Sequence, residues 1–148
     1  MFSLRPATRE DFNAVRSLIH KVNINPTGLD WRRFMVAASL DGKIIGCGQV
    51  KPHRDGDHHI YELASIAVQP EWRGQGVARA LIERLLGDHP GTLYLTCRAR
   101  LGPFYERFGF RPVVKDAMPT YYRRLSRFVE ILTQRSPADE KMLVMKRG

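Results

Sequence analysis

The segment Val68-Gln69-Pro70-Glu71-Trp72-Arg73-Gly74-Gln75-Gly76-Val77-Ala78 is the part of this chain best suited to chemistry. It reads as a strand end, a turn holding two glycines, and a helix start. Such a turn aims several backbone N–H groups at one spot. The unpaired amides and the helix dipole there both favour an anion. Gly74 and Gly76 let the main chain approach that anion without a Cβ in the way, and Ala78 keeps the first helical turn thin. A pyrophosphate is a natural guest. Two glycines also make a plain strand-to-helix turn, and neither Gly-x-Gly-x-x-Gly nor Gly-Lys-Ser/Thr is present.

Other reactive side chains are weaker pointers. His53, His58 and His59 cluster ahead of a strand, as bases, metal ligands or, more simply, a solvated loop. A zinc site would need a third ligand and a supporting shell, and none is evident. Cys97 suggests an acyl-enzyme nucleophile, yet no base adjoins it, and a buried strand cysteine is the better reading.

The elements that must position these groups alternate between strand and helix patterns, so the expected class is mixed, α+β. Phe2–Arg5 reads as a strand that Pro6 stops, and Thr8 with Asp11 resembles a helix cap. Phe12, Val15, Leu18, Ile19 and Val22 follow at helical spacing. Residues 23–28 form a loop, and a short helical turn is placed near Trp31–Phe34. Phe34–Ser39 and Ile44–Val50 are strands joined through Asp41-Gly42, a hairpin dipeptide. Pro52–His58 is expected as a polar loop, then Tyr61–Val68 as a strand. In Gly76–Leu86 the rows Val77/Leu81/Leu85 and Ala78/Ile82/Leu86 mark a helix ended by Gly87 and Pro90, with Arg79 and Glu83 paired outside. Leu93–Cys97 is a strand, Pro103–Phe108 a short helix, and Phe110–Val114 a strand. An amphipathic helix carries Tyr121, Leu125, Phe128 and Leu132, and Met142–Met145 closes the chain as a strand.

The 148 residues suit one domain, and 43% apolar with 26% charged content suits a soluble globular protein. No run of ~18 apolar residues spans a membrane, the first residues lack a secretory layout, and two cysteines are too few for a disulfide framework. A cytoplasmic, reducing location is the expectation. Of the net charge of +9, +6 falls within residues 98–135, where nine basic side chains meet three acidic ones. That field attracts a polyanion, an acidic partner or a phosphorylated cofactor, or simply solubilises the surface. Nucleic acid is disfavoured, since Tyr121-Tyr122 is the only aromatic pair set beside arginines.

The segment Arg73-Gly74-Gln75-Gly76-Val77-Ala78 resembles motif A of the GNAT superfamily of N-acetyltransferases, written Arg/Gln-x-x-Gly-x-Gly/Ala. The strand Glu62–Val68 leads into it. About thirty residues on, Phe104-Tyr105-Glu106-Arg107-Phe108-Gly109-Phe110 is similar to the family's aromatic helix ending in Gly-Phe. The resemblance implies one domain with a central, mostly antiparallel sheet flanked by helices. Two middle strands, those at 61–68 and 93–97, would splay to admit pantetheine. It implies acetyl-CoA as co-substrate and a small primary amine or amino acid as acceptor, with a protein lysine or N-terminus, or a non-catalytic acyl-CoA sensor, as alternatives. Amides of Arg73, Gly74, Gln75, Gly76, Val77 and Ala78 would hold the pyrophosphate. Ile66, Ala67 and Val68 would pair with the pantetheine, and Arg73 or Arg79 would face phosphates, a solvated helix face being an equal reading of Arg79.

Within that resemblance, Glu62 is the candidate base, an acidic residue in an apolar strand whose burial would make it a better proton acceptor. The competing reading is a strand-start glutamate, solvated or paired to an arginine. Tyr105 is the candidate acid for the coenzyme thiolate, since Phe104 and Phe108 share the other face; a packed aromatic is the alternative. Where many members carry asparagine seven residues before that tyrosine, this chain has Arg98. Arg98, Arg100, Arg123 and Arg124 are candidates to receive an acceptor carboxylate. The extra helical segment at 115–141 is a cover over the acceptor, a homodimer surface or ordinary core packing, the last slightly favoured.

Overall fold

Extended residues at both ends and a β-rich middle give seven strands in the order β1-β2-β3-β4-β5-β7-β6. These are β1 (Phe2–Pro6), β2 (Phe34–Ser39), β3 (Ile44–Asp55), β4 (His58–Val68), β5 (Leu93–Arg98), β6 (Arg111–Pro112) and β7 (Met142–Arg147). The computed structural model describes all of residues 1–148. Four α-helices accompany the strands: α1 (Phe12–Lys21), α2 (Val77–Asp88), α3 (Gly102–Glu106) and α4 (Thr120–Leu132). The β1–β2, β2–β3, β5–β7 and β6–β7 pairs are antiparallel, and β4 meets β5 in parallel. The fold is therefore α+β with a mixed, mostly antiparallel sheet. By compactness the chain forms two units, Met1–Lys51 with Leu63–Pro90, and Pro52–Glu62 with Gly91–Gly148.

In the first unit, the predicted cap at Thr8 is present. The Asp11 carboxylate accepts the Thr8 N–H at 2.7 Å and binds Arg5 through two nitrogens at 2.7 and 3.0 Å. A short 3-10 turn precedes α1, whose Val15, Leu18 and Ile19 are buried against Val36, Ala38, Cys47 and Ala67. Helix α2 takes the other face. Strand residues alternate sides, so Cys47 faces the α1 cluster while Gly46 and Gly48 face α2. A Cβ on Gly46 would lie 2.7 Å from Val77 Cγ1 and 3.1 Å from Leu81 Cδ1, and one on Gly48 would lie 3.0 Å from Leu85 Cδ1. The predicted row Val77/Leu81/Leu85 thus rests on a glycine floor. Gly87 does not end α2: it lies inside the last turn, with space around it, and the helix runs on to Asp88.

In the second unit, β5 and β7 pair from Leu93↔Arg147 to Arg98↔Met142, and Glu62 stands opposite Tyr94. Three expectations are corrected here. Residues 52–58 are not a loop: β3 continues to Asp55, and a tight Gly56-Asp57 turn starts β4 at His58. Pro52 is compatible because its fixed φ suits an extended chain. Strand β6 is only Arg111–Pro112, not Phe110–Val114. In α4 the buried face is Tyr122 and Ser126, while Phe128 and Leu132 are 61% and 68% exposed. Ser126 interrupts the apolar pattern at the centre of that face, so the pattern pointed about a third of a turn away. Tyr122 packs with Tyr94 and Val144, so the 115–141 segment supplies core packing.

Candidate functional site

The strand-to-helix turn is built as a donor cradle. Gln69 N–H returns to Ile45 O at 2.8 Å, and a 3-10 turn over Pro70–Trp72 leads to Arg73. Gly74 (φ 77°) and Gly76 (φ 84°) both adopt left-handed backbone, so the two glycines are required by conformation. A Cβ built on either meets nothing within 4 Å, which leaves the approach to the turn open. No side chain caps α2, and its first turn carries no acidic group, so its leading amides keep their donors. Arg73 differs: its N–H already donates to Pro70 O at 3.3 Å, and the cradle is narrowed to residues 74–78. Arg79 lies on the outer face with Nε 2.8 Å from Glu83 Oε1. Ala67 is buried, and Ile66 and Val68 are half-buried.

One feature of β4 has no signature in the sequence. Ser65 takes φ 60°, a left-handed conformation within a strand. That costs a residue with a Cβ about 1–3 kcal/mol unless neighbours fix it. They do: the fully buried Gln49 side chain donates to Ser65 Oγ at 2.9 Å and to Gly28 O at 3.2 Å. The positive φ is a local departure from extended backbone inside β4, just before Ile66.

In the second unit Glu62 is 7% exposed, whereas its neighbour Tyr61 is 47% exposed, so the strand phase turns Glu62 inward. Its partners are not arginines. Tyr122 Oη donates to Glu62 Oε1 at 2.7 Å, and His53 Nε2 lies 2.9 Å from the same oxygen. Tyr121 stacks on the His53 ring at 4.1 Å between centroids, and its N–H donates to Asp55 Oδ1 at 2.9 Å. Burial first, then the Glu62 charge, pushes the Tyr122 phenol well above its ordinary range, so it stays a donor. Burial and the same charge raise Tyr121. His58 and His59 are exposed. Of the three clustered histidines, His53 alone meets the glutamate, although Pro52 suggested a solvated loop; Tyr122 was missed because Tyr121 fitted the apolar row. Lys51 to Asp55 carry no apolar alternation, so no sequence signal turned His53 inward; only the burial pattern of the extended strand shows it.

Tyr105 is half-buried on α3, 5.1 Å from the Phe104 ring, and burial with the nearby Cys97 pushes its hydroxyl up to about 12. Phe104 and Phe108 pair at 5.4 Å as expected. Burial pushes Cys97 up to about 11, which keeps it a thiol. Arg98 and Arg100 both bind Glu140, at 3.3 and 2.8 Å, so both guanidiniums are engaged by one shared carboxylate. Arg124 instead lines a cavity of about 540 Å³ with Arg54, Asp55, Tyr121, Leu125 and Phe128.

A strand, a turn with two left-handed glycines and an uncapped helix start make an anion-binding arrangement. Residues 30–112 match the family described as acetyltransferase (GNAT) domain, and the chain belongs to that family. No curated protein matches the sequence. Among solved structures, it is similar to Rv2747 from Mycobacterium tuberculosis in complex with CoA and NLQ, with TM-score 0.70 and 22% identity over 98% of each chain. It is also similar to N-acetylglutamate synthase from Neisseria gonorrhoeae complexed with coenzyme A and N-acetyl-glutamate, with TM-score 0.73, 19% identity and 99% of this chain covered. This chain spans 35% of that synthase. A GNAT-family acetyltransferase from Staphylococcus aureus Mu50 gives TM-score 0.68 at 13% identity over 99% of this chain and 98% of that one. At these identities the likeness is one of fold. No helix is long and apolar enough to cross a membrane.

Proposed function

We propose that this chain is an acetyl-CoA-dependent N-acetyltransferase acting on the primary amine of a small molecule, an amino acid being favoured. The observation that carries the reading is the turn at Gly74–Ala78, with its left-handed glycines, uncapped helix start and open approach. Its amides suit the pyrophosphate of the co-substrate. The left-handed backbone at Ser65 marks where β4 departs from regular strand geometry, beside the residues 66–68 proposed to pair with the pantetheine. Two of the similar structures hold coenzyme A, one of them with N-acetyl-glutamate.

The neutral amine attacks the thioester carbonyl, forming a C–N bond as the C–S bond breaks. Glu62 takes the proton that leaves nitrogen, and the sulfur gains one, so amine and thioester become acetamide and free thiol. Tyr105 stays protonated at neutral pH because burial holds it up to about 12. Full transfer from such a phenol to a thiolate of ordinary basicity, near ~8.5, runs uphill by about 5 kcal/mol. Tyr105 therefore steadies the departing sulfur by hydrogen bonding, and the proton that ends on sulfur comes from nitrogen through Glu62 and solvent. The unpaired Arg54 and Arg124, beside apolar Leu125 and Phe128, suit an acceptor carboxylate better than Arg98 and Arg100 do.

The test is thermal stabilisation by acetyl-CoA, followed by thiol release over a panel of amines. Stabilisation that disappears in Gly76→Val, with turnover on carboxylate-bearing amines, is the expected outcome. No stabilisation would overturn the reading, and stabilisation without turnover on any amine would make the chain an acyl-CoA sensor instead.

A further inference from the structure

We infer that His53 and Tyr122 are positioning residues that clamp one oxygen of Glu62 and reserve the other, Oε2, for the substrate proton; this rests on Glu62 being the base. Both donors converge on Oε1, from β3 at 2.9 Å and from α4 at 2.7 Å. Every fully buried side-chain nitrogen or oxygen has a hydrogen-bond partner. Oε2 has none within the chain, so it is open to solvent or substrate. Rotating the carboxylate to exchange its oxygens would break both bonds together, which fixes the oxygen that is presented.

To act as the base, Glu62 must present an ionised carboxylate. For an ionised Glu62, His53 must carry its proton on Nε2, because an unprotonated Nε2 would face the negative oxygen lone pair to lone pair. Tyr121 covers the His53 ring by stacking and is itself held by Asp55, so the imidazole cannot swing away without unstacking. The titratable groups around Glu62 are His53 from β3, Tyr121 and Tyr122 from α4, and Tyr94 from β5. Asp55 and Lys146 act on Tyr94 from the hairpin and from β7. Helix α4 lies beyond the residues 30–112 that match the family, so the setting of the base is completed by a segment outside that match.

The experiment compares kcat and acceptor KM for wild type, Tyr122→Phe, His53→Leu and His53→Gln, with Glu62→Gln as reference. Loss of one donor frees the carboxylate to turn, so Oε2 is no longer held toward the substrate in Tyr122→Phe and His53→Leu. Their kcat should fall about tenfold with acceptor KM nearly unchanged. His53→Gln keeps an N–H donor, and its kcat should return to within about threefold of wild type. If Tyr122→Phe proves unstable, the two His53 variants carry the comparison alone. Equal loss of kcat in His53→Leu and His53→Gln would overturn the clamp. Full activity of Glu62→Gln would instead overturn the base itself, and absent acetyl-CoA stabilisation would overturn the transferase reading.

Discussion

Replacing Gly46 by alanine tests the packing that holds the phosphate turn. The new Cβ would lie 2.7 Å from Val77 Cγ1, 3.1 Å from Leu81 Cδ1 and 3.3 Å from the Ala67 carbonyl oxygen. Carbon pairs rest at ~3.5–4.0 Å, so the shortfall against Val77 is about 1 Å. Val77 is β-branched and buried, Leu81 is fully buried, and the Ala67 oxygen belongs to the main chain of β4. Relief must come from lifting the start of α2 off β3. Overpacking of this kind costs about 1–3 kcal/mol, which at ~2–4 °C per kcal/mol lowers Tm by about 2–12 °C. Val77 directly follows Gly76, so the displacement falls on the donor cradle. Spoiling one charge-assisted hydrogen bond there costs about 1.5–3 kcal/mol, or roughly 10–100-fold in Kd. Acetyl-CoA at 100 times the wild-type Kd should stabilise wild type by about 2.7 kcal/mol, and with 30-fold weaker binding by about 1 kcal/mol. Differential scanning fluorimetry with and without acetyl-CoA reads both effects. A variant that melts within 1 °C of wild type and keeps the whole ligand shift would refute the glycine floor.

Gly87→Ala should raise stability by about 0.5–1 kcal/mol, because Gly87 sits inside α2 with empty space around its Cβ position; a fall in Tm would return it to the role of helix terminator. Asp11→Asn should cost about 1–2 kcal/mol at pH 7. Arg5, and then the Thr8 N–H and hydroxyl, hold the Asp11 carboxyl down to about 2. Its contribution is present above the unfolded value near ~4 and is lost as pH falls through about 2, so the gap between the two melting curves should close over that window. Burial pushes Cys47 up to about 12 and Cys97 up to about 11, so iodoacetamide at pH 8 should label native Cys47 hardly at all and Cys97 slowly, both being labelled quickly in urea. Cys97→Ala should keep acetyl transfer within a few-fold; its complete loss would reinstate an acyl-enzyme route.

The parts of this protein that were legible in the residue order are those whose rules are local. The Thr8–Asp11 cap, the left-handed glycines at 74 and 76, the four-residue row along α2 and the Phe104–Phe108 pair each depend on neighbours within a turn or two. Backbone φ preference and helical periodicity are written at that range, and the family motif lies there too. Glu62 could also be picked out, as a charge in an apolar strand, but not its surroundings.

Those surroundings were decided by tertiary structure. The clamp on Oε1 joins residues nine and sixty positions apart, and the glycine floor under α2 joins β3 to a helix thirty residues on. A sequence pattern gives the period of a helix or strand but not its phase against a distant partner. A small phase difference in α4 exchanges Tyr122 for Tyr121 at the carboxylate, and only packing around Ser126 and Tyr94 chooses between them. Likewise the charge surplus was countable, but whether an arginine is free or spent on Glu140 depends on which loops meet. Local chemistry named the groups able to react. The register of strands and the rotation of one helix determined which atoms of those groups are held and which are left open.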